Sequence, residues 1–344
     1  MAANTSIFFF KKRSVILNID FCPLYALKSK RFLKYLLAID DNRLLKQKYV
    51  ASLVSPYIYM QNKPRLIEPP SMELKRIQKR IKNLLGTIPI PENIFSGIKG
   101  RSYVDNAKMH LDTSSLRNML KIDLTAFFPS ISRNVVYRFF YKDLQCSSDV
   151  AEILTNLTTI DLSRSSATDL SSIYGFLDMK HVNCYNHLIS GSPASPILSY
   201  LVNKRMFDEL QKLADLHNMT MSVYIDDVIF SSRMRISNYF YRKVCLIIKK
   251  YGYQISKKKV KVYTKNSPKL VTGVVIDRKG RPVVRNSIKF RIIDLYRKLM
   301  KNPSDERLLE SLRGLLVCAR QVDKNAFPTI YRYAFLERII VNNV

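Results

Sequence analysis

The 344-residue chain carries 57 Lys plus Arg against 27 Asp plus Glu, a formal net charge of +30, far beyond what solubility asks and best matched by a polyanionic partner. Its length exceeds one small fold and fits two or three subdomains. Five scattered cysteines (Cys22, Cys146, Cys184, Cys245 and Cys318) without a CxxC pair point to neither a disulfide framework nor a zinc site, and suit a reducing cytoplasm.

The opening Ile7-Phe8-Phe9-Phe10 run is stopped at once by Lys11-Lys12-Arg13. It is too short for a signal-peptide core or a bilayer span, so no membrane association is expected. Residues 1–50 read as mostly helical and basic, with Phe32, Tyr35, Leu36 and Leu37 as an apolar stripe, and suggest no task. Ser52 to Ile58 and Leu66-Ile67 read as a strand pair around the polar turn Gln61-Asn62-Lys63-Pro64. Pro69-Pro70-Ser71 then starts a helix: Leu74, Ile77, Ile81 and Leu84 follow helical spacing while Lys75, Arg76, Lys79, Arg80 and Lys82 face outward.

From Leu120 to about Ile276, strands and helices alternate without repeats, the pattern of an α+β domain with an antiparallel sheet. Lys257 to Lys301 holds 15 Lys or Arg with only Asp277 and Asp294 as acids, a surface suited to a duplex phosphate backbone. Asn286 begins a helix with Ile288, Ile292, Leu295 and Leu299 on its apolar face, and further helical segments run to Val344.

Chemistry concentrates at Tyr224-Ile225-Asp226-Asp227, where paired carboxylates sit between the apolar runs Ser222-Val223-Tyr224 and Val228-Ile229-Phe230. This reads as two buried strands meeting at a tight turn. A third carboxylate, Asp123, stands 103 residues earlier in Leu120-Lys121-Ile122-Asp123-Leu124. Like charges buried side by side cost several kcal/mol unless a cation compensates, which calls for divalent metal. Two Mg2+ ions about 3.5–4 Å apart are the usual apparatus for in-line attack of a hydroxyl on a phosphate. An ordinary turn is the competing reading of the pair alone.

The order of motifs resembles a reverse transcriptase over roughly Pro64 to Leu336. Leu120 to Ile131 (LKIDLTAFFPSI) resembles the first palm motif, Gly191-Ser192-Pro193-Ala194-Ser195-Pro196 the second and Tyr224 to Asp227 the third, with Lys259 and Gly273 in the order of the later palm elements. Asn106-Ala107-Lys108-Met109-His110 resembles the NAxxH motif, and Val271-Thr272-Gly273 the VTG motif, of retron reverse transcriptases. The resemblance implies an α+β right-hand polymerase. Its parts are an N-terminal helical region (1–50), fingers (51–115), a palm whose antiparallel sheet packs on helices (116–276, with a fingers insertion at about 145–190) and a helical thumb (277–344). The implied activity is RNA-directed DNA synthesis in the bacterial cytoplasm: part of a structured non-coding RNA, template and primer at once, is copied from deoxynucleotides. Synthesis starts at the 2′-hydroxyl of an internal guanosine and leaves a branched RNA–DNA hybrid. A separate effector protein and a role in phage defence are implied in the same way.

By the same resemblance Asp123, Asp226 and Asp227 would ligate the metals, with the Leu124 carbonyl as a further ligand, one ion activating the primer hydroxyl and the other holding the triphosphate. Phe128 matches the ring under the nucleotide sugar that excludes a 2′-hydroxyl, although Phe127 and Phe128 could both be core. Lys63, Arg65 and Gly191 fall where nucleotide contacts are placed, a guanidinium being able to bind phosphate bidentately; a solvated surface charge is the plainer reading of either cation. Lys259 is the candidate general acid for pyrophosphate, or one member of a phosphate-binding face with Lys257, Lys258 and Lys261. Asn106 and His110, spaced i, i+4, with Val271, Thr272 and Gly273, suggest RNA recognition or local scaffolding.

Two residues depart from the family pattern. Ser190 stands where many relatives have Gln, which puts a side-chain contact to the nucleotide in doubt, and Ile225 replaces a smaller Ala, which bears on nucleotide fit. Two rival readings are another bacterial reverse transcriptase, such as a group II intron or defence-associated type, and an inactive RNA-binding scaffold. The absence of maturase or endonuclease segments before Val344 argues against the intron form, and the intact Asp triad against the scaffold.

Overall fold

The computed structural model describes residues 18–61, 63–112 and 115–337. The Ile7–Phe10 run, its basic stop and Asn62 of the expected turn lie outside them. Among the described residues no helix is long and apolar enough to cross a membrane. The chain divides into two compact units, one of residues 1–92 and 131–208, the other of residues 93–130 and 209–344.

The first unit is mainly helical. Ser71 caps helix Met72–Leu85 by accepting from the Leu74 N–H, and Leu74, Ile77, Ile81 and Leu85 are buried. That face packs against helices Lys30–Leu37 and Ser148–Thr158, and Gln78 reaches the Leu157 carbonyl at 3.0 Å. The stripe expected of helix Lys30–Leu37 is shifted: Leu33 and Leu37, one turn apart, are buried, whereas Phe32 and Tyr35 are exposed and stack on each other at 6.0 Å. The expected strand pair is present but shorter. Ser52 closes helix Gln47–Ser52, and Tyr57–Tyr59 alone pairs antiparallel with Arg65–Ile67. A second hairpin-like pair joins Thr159–Asp161 to Asn186–Leu188.

The second unit is built on an antiparallel sheet in the order Thr220–Tyr224, Asp227–Ser232, Asn118–Asp123, Lys261–Tyr263. Residues 228–232 are buried without alternation because both sheet faces are covered. Phe230 meets Phe240 of helix Asn238–Lys250 edge-on at 5.1 Å. Ile229 and Met119, on the opposite face, join Val104, Ala107, Val271, Val274 and Ile276. A strand covered on both sides reads as a continuous apolar run.

A three-stranded sheet, Pro282–Val284, Val274–Ile276, Lys269–Val271, follows in the same unit. The helix expected from Asn286 spans Asn286–Lys301. Its Ile292 and Leu299 are buried with Leu309, Leu312, Leu316 and Ala319 of helix Glu306–Val322, and Ile288 and Leu295 flank them.

Candidate active site

Strands Thr220–Tyr224 and Asp227–Ser232 are joined by two residues, Ile225 and Asp226, with Tyr224 facing Asp227 in register. Ile225 takes φ +59°, a left-handed conformation that β-branched residues avoid. Two bonds hold it: the Ile225 N–H donates to Ser96 Oγ at 3.1 Å, and the Leu124 N–H donates to the Asp226 carbonyl at 2.9 Å. The register of the neighbouring strand sets Asp123 directly across from Asp227. All three acidic residues therefore meet at one end of the sheet.

Their environment is short of positive charge. Burial, with the charges of Asp123 and Asp227 added, pushes Asp226 up to about 6. Asp227 is raised too, by burial first, with Lys121 opposing. Lys121 Nζ lies 2.7 Å from Asp227 Oδ2, while Asp227 Oδ1 is buried with no hydrogen-bond partner. Lys259 Nζ sits 2.8 and 2.9 Å from the two Asp123 oxygens. As they stand, no group of three acidic, His or Cys side chains among the described residues forms a ready metal cage; two ammonium groups hold two of the carboxylates instead. The donor set of hard oxygens, one of them orphaned and one carboxyl raised by burial and then by its acidic neighbours, still fits a divalent cation.

Phe127 and Phe128 begin the short helix Phe127–Ser130. Phe127 is core, edge-on to Tyr253 at 5.4 Å; Phe128 is only half-buried and stacks on Phe127 at 6.2 Å. Lys63, Arg65 and Gly191 belong to the first unit and are exposed, Arg65 at the start of its strand. A Cβ on Gly191 would fall 2.3 Å from the Glu68 carbonyl oxygen, so the close approach of two backbones requires glycine there.

The two short motifs meet each other. Thr272 and Gly273 form a two-residue hairpin turn, both at positive φ (+44° and +99°), the geometry of a type I′ turn. Thr272 Oγ1 donates to the Tyr103 carbonyl at 2.8 Å and accepts from Asn106 Nδ2 at 3.3 Å. Asn106 is fully buried in helix Tyr103–Lys108. His110, 2 % exposed, lies beyond that helix and bonds Ser231 Oγ through Nδ1 at 2.8 Å and Ser222 Oγ through Nε2 at 2.7 Å. Burial drives its pKa down to about 3, so it is neutral and its two serine partners satisfy one donor and one acceptor. Both serines stand on the strands that carry the Asp226 hairpin.

Three participants escaped the sequence reading. Lys121 had a signal, since residues i and i+2 of a strand share a face and Asp123 is two residues on. Glu68 and His187, a fully buried pair at 2.8 Å, had none.

These features define a polymerase palm, and the reverse transcriptase (RNA-dependent DNA polymerase) family matches residues 47–290. The chain belongs to that family and is an RNA-directed DNA polymerase of α+β, right-hand architecture. It is 24% identical over 280 residues to the Retron Ec83 reverse transcriptase of Escherichia coli, covering 80% of this chain and 81% of that one. It is equally 24% identical over 280 residues to the Retron Ec86 reverse transcriptase of the same organism, covering 79% and 76%. With the Retron Mx65 reverse transcriptase of Myxococcus xanthus it shares 28% over 229 residues, 64% of this chain and 51% of that one. The resemblance to retron reverse transcriptases carried by NAxxH and VTG is borne out by these relatives.

Proposed function

We propose that this polymerase copies part of its own structured non-coding RNA, primed by an internal 2′-hydroxyl, into single-stranded DNA that stays branched from the RNA. The observation that carries the chemistry is the register that sets Asp123 across from Asp227 at the Asp226 hairpin. There three carboxylates are short of counter-charge.

Asp123, Asp226, Asp227 and the Leu124 carbonyl would hold two Mg2+ ions, with the cations taking over the charge compensation now given by Lys121 and Lys259. Bound there, such ions supply a lowered hydroxyl pKa and charge stabilisation at phosphate oxygens. The protein's own part is positioning and electrostatics. Lys259, released from Asp123, is the candidate proton donor to pyrophosphate. Half-exposed Phe128 is the candidate barrier to a 2′-hydroxyl, and exposed Arg65 and Lys63, with Gly191, are the candidate deoxynucleotide contacts. Buried Asn106 and His110 act as scaffold, tying the Thr272-Gly273 turn and the catalytic hairpin in place, and the backbone of that turn remains the motif's candidate approach to RNA. An effector protein and a part in phage defence are carried by the retron resemblance alone.

The test is to express the chain with its flanking upstream DNA, extract nucleic acid and look for a short DNA resistant to RNase except at one end. It should appear with the wild type and vanish with Asp226→Ala plus Asp227→Ala. Activity on a supplied template and primer without that product would move the protein to another reverse transcriptase class; failure of both assays would favour a scaffold.

A further inference from the structure

Glu68 and His187 form an ion pair sealed inside the first unit, both side chains at 0% exposure with His187 Nε2 2.8 Å from Glu68 Oε1. His187 Nδ1 lies 2.9 Å from the Cys184 carbonyl. Both ring nitrogens thus face oxygens, and although burial opposes it, the Glu68 carboxylate holds the His187 pKa above its ordinary value. Glu68 places its other oxygen, Oε2, 2.8 Å from the Ser190 N–H. Its own carbonyl is the atom against which Gly191 packs.

One residue therefore touches three parts of the chain. Glu68 directly follows strand Arg65–Ile67, whose first residue is the exposed Arg65. Its side chain grips the strand Asn186–Leu188 through His187, and the same carboxylate and its backbone fix Ser190 and Gly191. A buried pair of this kind is weak evidence for stability, because desolvation offsets most of the attraction; its better-attested use is to specify one arrangement. Ser190 shows what is being specified. It stands where the family pattern has Gln, and its hydroxyl is buried without a partner, so the loop is held here through its main chain by Glu68.

We infer that Glu68 and His187 are positioning residues for deoxynucleotide binding, locking the Arg65 strand and the Ser190-Gly191 loop into one rigid arrangement. The inference rests on the reading of Arg65 and Gly191 as nucleotide contacts.

The experiment is steady-state extension of a DNA primer on a supplied RNA template, with KM for deoxynucleotide and kcat measured separately. Arg65→Ala, Glu68→Gln and His187→Gln are compared with wild type, and folding is followed by thermal unfolding. Glu68→Gln keeps the shape and removes the charge that holds His187 and the Ser190 N–H together. It should raise KM about tenfold, the worth of one charge-assisted hydrogen bond, with kcat within about twofold. His187→Gln breaks the same pair from the Asn186–Leu188 strand, touches no residue read as a nucleotide contact and should give the same split, so the inference stays testable if Glu68→Gln fails to fold. If Arg65→Ala raises KM while a folded Glu68→Gln leaves KM and kcat unchanged, the pair serves stability only and the inference fails. A fall in kcat at constant KM overturns it as well. If Arg65→Ala itself leaves KM unchanged, the nucleotide-contact reading fails first.

Discussion

Replacing His110 by Leu separates scaffold from RNA contact. The substitution puts an apolar side chain of similar bulk into a site that is 2 % exposed and removes both hydrogen bonds, leaving the hydroxyls of Ser222 and Ser231, each at 0% exposure, without their partner. A buried hydroxyl stripped of its partner costs about 1–3 kcal/mol, so two give roughly 2–6 kcal/mol, and urea unfolding should register a loss near 4. Removing the hydroxyls as well, in His110→Leu/Ser222→Ala/Ser231→Ala, should recover most of it, because replacing all partners by apolar groups is close to neutral. The wild type should also lose stability in acid. His110 titrates near 3 in the fold and near 6.5 once unfolded, so below about 6.5 the unfolded chain takes up a proton that the fold refuses. Stability is complete above that pH and falls by up to about 1.4 kcal/mol per pH unit down to about 3; the Leu variant lacks this slope. If His110→Leu unfolds like the wild type yet binds RNA more weakly, the scaffold argument is wrong and the residue reads RNA.

Three further variants bear on the catalytic end of the sheet. Asp226→Asn with Asp227→Asn should abolish primer extension while the fold, followed by circular dichroism, persists; residual extension within tenfold of wild type would remove these residues from the metal site. Phe128→Ala should admit ribonucleotides, lowering the preference for deoxynucleotides at least about tenfold in single-nucleotide incorporation, and an unchanged preference would send the gate elsewhere. Ile225→Gly should leave the unfolding free energy within about 1 kcal/mol of wild type, since relief of about 1–3 kcal/mol of left-handed strain offsets the lost side chain. A loss above about 3 kcal/mol would mean the side chain packs more than it strains.

What the sequence could disclose depended on how local the determinants are. The Asp226-Asp227 hairpin was legible because two apolar strands and their acidic turn lie within a dozen residues, and helices Met72–Leu85 and Asn286–Lys301 because periodicity and caps are local. Asn106 and His110 looked like one helical face, but helix Tyr103–Lys108 ends before His110, whose partners are 112 and 121 residues away. The Glu68–His187 pair spans 119 residues and left no short-range trace. On helix Lys30–Leu37 hydrophobicity misled: Phe32 and Tyr35 are the larger apolar groups, yet the one-turn spacing of Leu33 and Leu37 decides which side is buried.

Lys121 connects the charge balance of the site to metal binding. Its ammonium holds Asp227 Oδ2 at 2.7 Å, with both side chains less than one-fifth exposed. Lys121→Met keeps the length of the chain and leaves Asp227 as a buried carboxylate with one oxygen already unpaired, which should destabilise the metal-free protein by about 3–5 kcal/mol. A cation bound to Asp227 would supply the missing charge, and in the wild type it must first displace the lysine. Mg2+ should therefore raise the melting temperature more in Lys121→Met than in wild type, since a ligand stabilises by the logarithm of its occupancy of the fold and the variant binds without that competition. The comparison reads unfolding alone and needs no activity. Equal shifts in the two proteins would show that Lys121 and the metal do not compete for Asp227, and no shift in either would mean that Mg2+ does not bind the unliganded fold there.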